Sequence, residues 1–323
     1  MINDLDLAIR QRFNSAQRIL IVSHVRPDGD AVGSVLGLGL ALQQSGKTVQ
    51  MVLADGVPSN FKHLPGSNLI KRQSEGEFDL IAVVDCSDRE RIGGALNGCL
   101  PDLNVDHHIT NLNYAKLNLV EPEAVATSSI LTQHLQEWGY AITPEIATAL
   151  MTGLVSDTLG FRTANITPQS LRQAASLMEH GADLPELYQR ALLRRSFEAA
   201  RYWGAGLSRL QRDERLIWTS LTLADREAMN YPGNDDADLV NVLSAIDEAD
   251  IAVIFVEQKG GTVKISWRSQ PGFDVSQIAL SFGGGGHVAA SGADVNGSLE
   301  DIQNTVLQAT RSVLKNKMST ESK

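Results

Sequence analysis

Residues 18–43 constrain the fold of this chain more than any other stretch, because they predict a buried strand, a polar turn and an apolar helix in immediate succession. The strand, expected over residues 18–25, contains the continuous apolar run Ile-Leu-Ile-Val, which is typical of a parallel strand covered on both faces. Pro27 and Gly29 end this run before a second apolar segment begins at Ala31. A buried strand that leads directly into a helix predicts an α/β fold.

The turn between this strand and the helix carries one histidine and two carboxylates, His24, Asp28 and Asp30. In open α/β sheets, ligands bind at the carboxyl ends of parallel strands, where this turn is expected to lie. The positive end of the following helix also favours the anionic carboxylates that a metal ion requires. The alternative is an ordinary aspartate N-cap beside a hydrogen-bonded histidine. The turn by itself does not decide between a metal site and a helix cap.

Strand-like and helical stretches alternate from residue 20 to about residue 188. Three further apolar runs rich in β-forming residues predict strands at residues 49–53, 80–84 and 103–105. Helical periodicity predicts helices at residues 31–44, 128–138, 145–154 and 170–179. This alternation predicts a mostly parallel sheet with helices on both faces.

The rest of the chain predicts a second, smaller α/β domain. Residues 187–215 have a helical pattern rich in arginine, which favours a connecting helix with a solvated basic face. Beyond them we expect strands at residues 216–221, 251–257 and 262–267, and helices at residues 237–247 and 274–281. We therefore expect domains at residues 1–188 and 215–323, joined by a helical linker at residues 189–214.

Charge narrows the class of partner. The 323 residues carry a formal net charge of -10, which argues against a grip on long duplex nucleic acid through a broad basic face. A small anionic substrate remains compatible, because metal ions and a few arginines can invert the field inside one site.

Cysteine usage and hydropathy indicate the compartment. Cys86 and Cys99 are the only two cysteines, and without a C-x-x-C pairing both are expected to be small buried hydrophobic residues rather than a disulfide or zinc ligands. The first residues lack the basic and apolar regions of a leader, and no apolar run reaches the roughly 18 residues of a membrane span. We expect a cytoplasmic protein with no membrane partner.

Ionisable side chains follow two more of the predicted strands and one predicted helix: Asp85, Asp106, His107, His108 and Asp157. Singly, each has an ordinary explanation as a turn carboxylate or a hydrogen-bonded histidine. Together, carboxylate and imidazole groups without thiolates suit octahedral Mn²⁺ or Mg²⁺ better than a closed zinc site. One bridging carboxylate could hold two ions about 3.5–4 Å apart, which is the arrangement for in-line attack on phosphorus.

In chain order, these residues resemble the four motifs of the DHH phosphoesterase family. The matching positions are His24-x-x-x-Asp28-x-Asp30, Asp85, Asp106-His107-His108 and Asp157. Farther along, the Ser-Trp-Arg-Ser run at residues 266–269 and the Gly-Gly-Gly-Gly-His run that begins at Gly283 resemble the DHHA1 substrate-binding domain. The whole chain is similar to short two-domain members of the oligoribonuclease and pAp phosphatase type.

The resemblance implies a fold and a metal site. The fold is an N-terminal DHH domain with a mostly parallel sheet flanked by helices, a smaller C-terminal α/β DHHA1 domain, and an active site in the cleft between them. Two Mn²⁺ ions per chain are implied, for which Mg²⁺ or Co²⁺ could substitute. One ion would be held by His24, Asp28 and Asp85, and the other by Asp30, Asp85, His107 and Asp157.

Further roles are implied for residues outside this ligand set. His108 would contact the substrate phosphate, Asp106 would support the ligands, and Asp85 would be catalytic as the bridge between the ions. Substrate binding is implied for residues of the second domain: Arg268, Ser269, Gly284, Gly285, Gly286, His287 and Ser291. Glycine lets backbone N–H groups approach phosphate closely, and arginine offers phosphate a bidentate fork. The alternative for the glycine run is a flexible turn or a tight helix start.

The implied activity is that of a manganese-dependent phosphohydrolase, in which a water or hydroxide that bridges the ions attacks a terminal phosphorus. Implied substrates are short oligoribonucleotides, pAp and linear dinucleotides, with nucleoside monophosphates, or AMP and phosphate, as products. A homodimer is implied only at the level of the family. Val288 and residues 126–129 depart from the family pattern, and these departures bear on substrate choice.

Other functions remain open at this point. A phosphodiesterase for cyclic-di-AMP or pApA would use the same residues. A manganese pyrophosphatase would share the first domain but not the glycine-histidine run, and an exonuclease for longer single strands would need additional domains. Outside the enzymes, the chain could be a nucleotide-binding sensor without turnover, against which the complete ligand set argues.

Overall fold

The computed structural model of the protein describes residues 3–96 and 98–321. The chain forms two compact units, Met1–Arg194 and Arg195–Lys323. The division falls inside the predicted linker at residues 189–214, whose bounds, like those of the two predicted domains, stay a prediction. Residues 1, 2, 97, 322 and 323, which those domains include, lie outside the described residues.

The first unit is built on a five-stranded parallel sheet, as the alternation of strands and helices predicts. Its strands are β1 Arg18–Val22, β2 Thr48–Val52, β3 Leu80–Val84, β4 Leu103–Asp106 and β5 Leu117–Val120. They lie in the order β2-β1-β3-β4-β5, and every pair of neighbours is parallel. The carboxyl ends of β1, β3 and β4 therefore lie side by side at one edge of the sheet.

The helices of this unit lie mostly between and after the strands. They are α1 Asp4–Ser15, α2 Gly29–Gln44, α3 Thr127–Glu137, α4 Pro144–Asp157, α5 Pro168–Glu179 and α6 Leu184–Tyr188. Single 3₁₀ turns lie at Ser59–Phe61, Ser67–Leu69 and Glu90–Ile92, and a π-helical turn lies at Gln189–Leu193.

The two faces of the parallel sheet are covered differently. Ile19 and Ile21 of β1 belong to a large core that includes buried residues of all six helices. Leu20 and Val22 belong to a smaller cluster, which is covered by side chains of residues 92–96. The sequence predicts helices on both faces, whereas the described cover of this second face is the end of a 3₁₀ turn and the irregular segment after it.

Helices α2 and α4 cross at a short distance because side chains are missing at the crossing. A Cβ atom added to Gly33 would lie 2.5 Å from the carbonyl oxygen of Ala149, and one added to Gly153 would lie 2.5 Å from Oδ1 of Asp30. Only glycine permits such an approach of two backbones. The crossing brings the start of α2 close to the last turn of α4, which ends at Asp157.

Two elements of the first unit, α1 and β5, have no predicted counterpart. α1 buries Asp6, Ile9 and Phe13 and exposes most of its other side chains, so only two of its apolar side chains are buried. A tertiary contact holds it, since Nδ1 of His134 on α3 donates to Oδ1 of Asp6 at 2.7 Å. β5 has four residues, of which Leu119 is buried, too little for a strand pattern.

The second unit contains a mixed sheet of six strands. They are β6 Gln211–Asp213, β7 Leu216–Leu221, β8 Ile251–Gln258, β9 Thr262–Ser269, β10 Gly285–His287 and β11 Ala290–Asn296. Their order is β10-β11-β9-β8-β7-β6, in which β7 and β8 are parallel and the other neighbours are antiparallel.

Helices cover both faces of this second sheet. They are α7 Phe197–Leu207, α8 Leu223–Ala228, α9 Leu239–Leu243, α10 Ser276–Ser281 and α11 Leu299–Glu321. One core joins the sheet to α10 and α11, and the other joins it to α7 and α9. A second α/β domain is therefore confirmed.

Some local predictions differ from the structure. The helix predicted at residues 237–247 is shorter, because Ala237 and Asp238 have φ angles of 52° and 65°, which a right-handed helix excludes. Both cysteines are free thiols, but only Cys86 is buried, so the expected burial of Cys99 is wrong. Within the described residues, no helix has the length and apolarity that crossing a membrane would require.

We expect Gly33→Ala to lower the free energy of unfolding by about 1–3 kcal/mol, because the added methyl group overpacks α2 against α4. Gly204→Ala in α7 is the control, since a Cβ there meets nothing within 4 Å beyond the backbone of its own helix. That variant should be neutral or gain about 0.5–1 kcal/mol from helix propensity. Denaturant titration followed by circular dichroism measures both, and an unchanged stability of Gly33→Ala would contradict the close crossing.

Candidate metal centre

Side chains from several element ends meet at the carboxyl edge of the parallel sheet. Ligand atoms of His24, Asp28 and Asp85 lie within 4.8 Å of one another, and so do those of Asp30, Asp85 and His107. Asp85 belongs to both groups. The structure therefore brings together the residues that the sequence places after β1, β3 and β4, while their role as metal ligands stays a prediction.

Asp85 turns its two carboxylate oxygens towards different histidines. Oδ2 lies 3.6 Å from Nε2 of His24, and Oδ1 lies 3.7 Å from Nε2 of His107. The residue follows β3 directly, is 1% exposed and has a left-handed φ of 54°, a conformation that aspartate adopts more readily than most residues. One oxygen towards each of two neighbouring groups is the arrangement expected of a bridging carboxylate.

Backbone carbonyls hold both histidines with Nε2 towards the carboxylates. Nδ1 of His24 donates to the carbonyl oxygen of Val25 at 2.8 Å, and Nδ1 of His107 donates to that of Ala124 at 3.2 Å. A neutral ring with its proton on Nδ1 has a lone pair on Nε2. Carbonyl acceptors of this kind fix the orientation and tautomer of metal-binding histidines. The Nε2 lone pair and the carboxylate are both electron-rich and repel each other. This arrangement is therefore stable only if a proton or a cation lies between them.

Asp157, the last residue of α4, adds a third carboxylate beside Asp30, Asp85 and His107. Its Oδ2 lies 3.4 Å from Nε2 of His107, so His107 faces both Asp85 and Asp157. The sequence places Asp157 at the end of this helix, and the structure agrees, because Asp157 lies in its last turn.

The helix-cap alternative describes the hydrogen bonds of Asp28 correctly. Its Oδ1 accepts the backbone N–H groups of Asp30 and Ala31, both at 3.0 Å. This bonding does not exclude a metal ion, because a carboxylate has about four lone-pair sites on two oxygens. The cap instead fixes the carboxylate close to His24 and Asp85.

Asp30 caps a helix other than its own. Its Oδ2 accepts the N–H of Thr127 at 2.6 Å, and its Oδ1 accepts the N–H of Ser128 at 3.0 Å. These are the first two residues of α3, whose N-cap residue Ala126 has no side-chain acceptor. The negative charge of Asp30 also lies at the positive end of α3, which stabilises both.

Asp106 accepts three hydrogen bonds, one of which orients His108. Its Oδ1 accepts the N–H of His107 at 2.9 Å and Nδ1 of His108 at 2.7 Å, and its Oδ2 accepts Nδ2 of Asn111 at 2.5 Å. Asp106 is 0% exposed, and its carboxylate also lies within 4.8 Å of ligand atoms of Asp85 and His108. Its role as a support for the ligands, which the family resemblance implies, stays a prediction.

The pKa shifts of the buried side chains explain why this cluster suits a cation. Burial raises the pKa of Asp30 well above its ordinary value, and the charges of Asp85 and Asp157 raise it further. Desolvation also raises the pKa of Asp157 to about 6, although 23% of its side chain stays exposed. Burial alone would lower the pKa of His107, but the charges of Asp157 and Asp85 outweigh it and raise that pKa to about 9.

In the absence of a metal ion, protons therefore balance the excess negative charge of the cluster. A divalent cation would do the same without protonating the ligands. The donors are carboxylate oxygens and imidazole nitrogens, which suit Mn²⁺ or Mg²⁺. The residues present thus fit the implied metal site.

Sequence reasoning missed two residues that hold the predicted ones. Oγ1 of Thr127 donates to Oδ1 of Asp85 at 3.0 Å, and Asn111 donates to Asp106. The sequence marks residues 126–129 only as a departure from the family pattern. Asn111 has no local signal, since its role depends on the path of the chain after β4.

In the second unit, three of the four predicted glycine and histidine positions lie in β10, not in a loop. Within the sheet, His287 lies beside Ala290 of β11, and Ala290 lies beside Arg268 of β9. Nε of Arg268 donates to Oδ1 of Asn241 at 2.9 Å, which fixes the guanidinium. The structure thus brings Arg268 and His287 to one end of the same sheet.

Packing explains some of these glycines and leaves one unexplained. A Cβ on Gly284 would lie 2.1 Å from the carbonyl oxygen of Gly292, and one on Gly286 would lie 2.6 Å from that of Ala290. A Cβ on Gly285 would meet nothing within 4 Å. Sheet pairing therefore requires glycine at two positions, whereas Gly285 offers backbone that a ligand could approach.

The two predicted serines have structural hydrogen bonds. Oγ of Ser269 donates to the carbonyl oxygen of Phe273 at 2.9 Å, and Oγ of Ser291 donates to that of His287 at 2.6 Å. Ser291 is 5% exposed. These bonds stabilise the chain around Arg268 and His287, and substrate binding by either serine stays a prediction.

Both units match known family models. The DHH family N-terminal domain matches residues 18–154, and the DHHA1 domain matches residues 229–316. The bifunctional oligoribonuclease and PAP phosphatase NrnA of Thermus thermophilus is 34% identical over 301 residues, which are 92% of this chain and 90% of that protein.

Solved structures with a similar fold agree with this assignment. An exopolyphosphatase-related protein from Bacteroides fragilis has a TM-score of 0.88 at 26% identity, over 99% of this chain and 98% of that one. RecJ of Thermus thermophilus, solved in complex with Mn²⁺, has a TM-score of 0.53 at 14% identity, over 96% of this chain and 54% of that one, which shows a shared fold alone. On the strength of both domain matches and the full-length relative, the chain belongs to the DHH/DHHA1 family of phosphoesterases.

Proposed function

We propose that the chain hydrolyses phosphate esters of short nucleotides: it degrades short oligoribonucleotides to nucleoside monophosphates and converts pAp to AMP. The observation that carries this proposal is Asp85, whose two oxygens face the imidazoles of His24 and His107. The similarity to a relative named bifunctional oligoribonuclease and PAP phosphatase, over 92% of this chain, supports the substrate class.

Two divalent cations would be held at this site, with Mn²⁺ expected and Mg²⁺ or Co²⁺ as substitutes. We assign one to His24, Asp28 and Asp85, and the other to Asp30, Asp85, His107 and Asp157. When bound, such ions supply positive charge for the phosphate oxygens and a water that can attack phosphorus at neutral pH. The contribution of the chain is to fix the histidine tautomers and to hold Asp28, Asp30 and Asp85 with hydrogen bonds of their own.

His108 and Asp106 form the pair that we propose to act on the substrate phosphate. The bond of 2.7 Å from Nδ1 of His108 to Asp106 orients the ring. With Nδ1 held in this way, a proton on Nε2 would be donated in a hydrogen bond to a phosphate oxygen as negative charge develops on it. Since Asp106 is itself held by Asn111 and by the N–H of His107, the ring is positioned before substrate arrives.

The part of the substrate that does not react would be bound by the second unit. Arg268 provides a fixed guanidinium for a remote phosphate. His287 adds a ring that could stack on a base or donate to a phosphate, and Gly285 adds open backbone. This division of roles favours short substrates, as does the net charge of -10. A homodimer and a cytoplasmic location stay predictions.

We expect chelation to abolish hydrolysis of pAp and of RNA dinucleotides, and Mn²⁺ to restore it better than Zn²⁺, because the site has no thiolate donor. Release of AMP, phosphate and mononucleotides measures the activity. Full activity in a metal-free sample would refute the two-ion proposal.

The same assay identifies the substrate. We expect faster turnover of pAp, dinucleotides and 5-mer RNA than of 24-mer RNA or pyrophosphate. Cyclic-di-AMP belongs in the same panel, since a higher kcat/KM for cyclic than for linear dinucleotides would favour the cyclic-di-AMP phosphodiesterase alternative.

Asp85→Ala should be at least as damaging as the loss of any other proposed ligand, because a bridging carboxylate contacts both ions. The fold should survive, since the change removes one of several buried like charges. Metal analysis after dialysis, paired with circular dichroism, measures both effects. Glu123→Ala, at an exposed position, is the control for loss of a carboxylate. Two tightly bound ions per chain in folded Asp85→Ala would show that Asp85 is not the bridge.

Arg268→Ala should lower kcat/KM for pAp and dinucleotides roughly ten- to a hundredfold, because a charge-assisted contact contributes about 1.5–3 kcal/mol. Turnover of a minimal chromogenic phosphodiester, which lacks a remote phosphate, should change far less. Arg268→Lys keeps the charge but loses the bidentate fork, and Arg201→Ala, exposed on α7, controls for loss of positive charge. An equal loss on all substrates, or loss of manganese from Arg268→Ala, would overturn the role of the second unit.

A further inference from the structure

The first residue of α3 contacts two of the proposed metal-binding carboxylates. The backbone N–H of Thr127 donates to Oδ2 of Asp30 at 2.6 Å, and its Oγ1 donates to Oδ1 of Asp85 at 3.0 Å. Thr127 is 0% exposed, so water does not compete for either bond. A single residue outside the DHH motifs thus holds Asp30 and Asp85 together.

The position of Thr127 in its helix makes its hydroxyl available to Asp85. A threonine inside a helix commonly donates to the carbonyl four residues earlier, and Thr132 does so, with 2.7 Å from its Oγ1 to the carbonyl oxygen of Ser128. Thr127 is the first residue of α3, so no turn of the helix precedes it to provide such a carbonyl. Its hydroxyl is therefore directed to a carboxylate instead of to its own helix.

The hydroxyl of Thr127 determines how the carboxylate of Asp85 can rotate. The terminal torsion angle of aspartate has a broad, roughly two-fold distribution. Packing alone therefore does not fix the plane of the carboxylate. Oδ1 accepts from Thr127 on the side of His107, while Oδ2 faces His24. This bond uses one lone pair of Oδ1 and leaves another for a cation.

We propose that Thr127 is a positioning residue of the two-ion site: its hydroxyl fixes Asp85 so that one oxygen serves each ion, and its N–H fixes Asp30. This inference rests on the proposed function, since it concerns the same ions. Loss of the hydroxyl should weaken the ion on the His107 side first, because Oδ1 is the oxygen that Thr127 holds. An ion on the His24 side would be held through Oδ2 and should be less affected.

Manganese titration of Thr127→Val tests this role. Valine keeps the shape of threonine and removes the donor, and loss of a partner that orients a metal ligand lowers metal affinity about 10- to 100-fold. We expect the wild type to bind two Mn²⁺ with an exchange-coupled electron paramagnetic resonance spectrum. Thr127→Val should bind one ion with wild-type affinity and the other 10- to 100-fold more weakly, and the coupled spectrum should be lost at limiting Mn²⁺.

Two matched variants separate positioning from a general structural effect. Thr127→Ser retains the donor and should restore the second ion and the coupled spectrum. Thr132→Val removes a hydroxyl from the same helix, at a residue 8% exposed, and should leave both ions in place. If Thr127→Val does not fold by circular dichroism, Thr127→Ala removes the same donor without placing a methyl group where the hydroxyl lay, and makes the same comparison.

Each outcome bears on the inference. Two ions with wild-type affinity in folded Thr127→Val or Thr127→Ala would overturn the role of Thr127 and leave the proposed function intact. Equal losses in Thr132→Val and Thr127→Val would also overturn it, because the effect would then belong to the helix. A wild-type protein that binds no Mn²⁺ would overturn both this inference and the proposed function.

Discussion

Asp85 is 1% exposed and lies close to Asp30 and Asp157, so like charges are concentrated where water screens them poorly. Such a group is stable only with opposite charge and hydrogen bonds around it. The fold supplies these through the carboxyl edge of a parallel sheet and through helix N-termini. The first N–H groups of α2 and α3 donate to Asp28 and Asp30, and two imidazoles face the oxygens of Asp85.

The sequence predicts which residues meet at the proposed metal site, because the positions of several of them follow from topology. Asp85 and His107 follow strands whose carboxyl ends must share an edge of a parallel sheet. Thr127 and Asn111 were not predictable in this way, because their contacts depend on how α3 docks and on the loop after β4. The same holds for α1, which is stabilised by burial of Ile9 and Phe13 and by the bond between Asp6 and His134, none of which is local.

The glycines of the run in the second unit do not all have the same structural reason. Gly284 and Gly286 are required by the pairing of β10 and β11, because a Cβ at either would clash with backbone. Gly285, between them, has no such constraint. From sequence, the four glycines look equivalent. The geometry of the strands separates Gly284 and Gly286, which shape the sheet, from Gly283 and Gly285, where a Cβ would meet nothing within 4 Å.

The crossing of α2 and α4 limits how this protein can adapt to temperature. Replacing a helical glycine by alanine is a common evolutionary route to a more stable protein. At Gly153 this route is closed, because the space for a Cβ is occupied by Oδ1 of Asp30 and Oγ of Ser128, and any side chain would displace a carboxylate of the proposed site. A thermophilic form of this chain would have to keep that glycine and gain its stability away from the catalytic edge of the sheet.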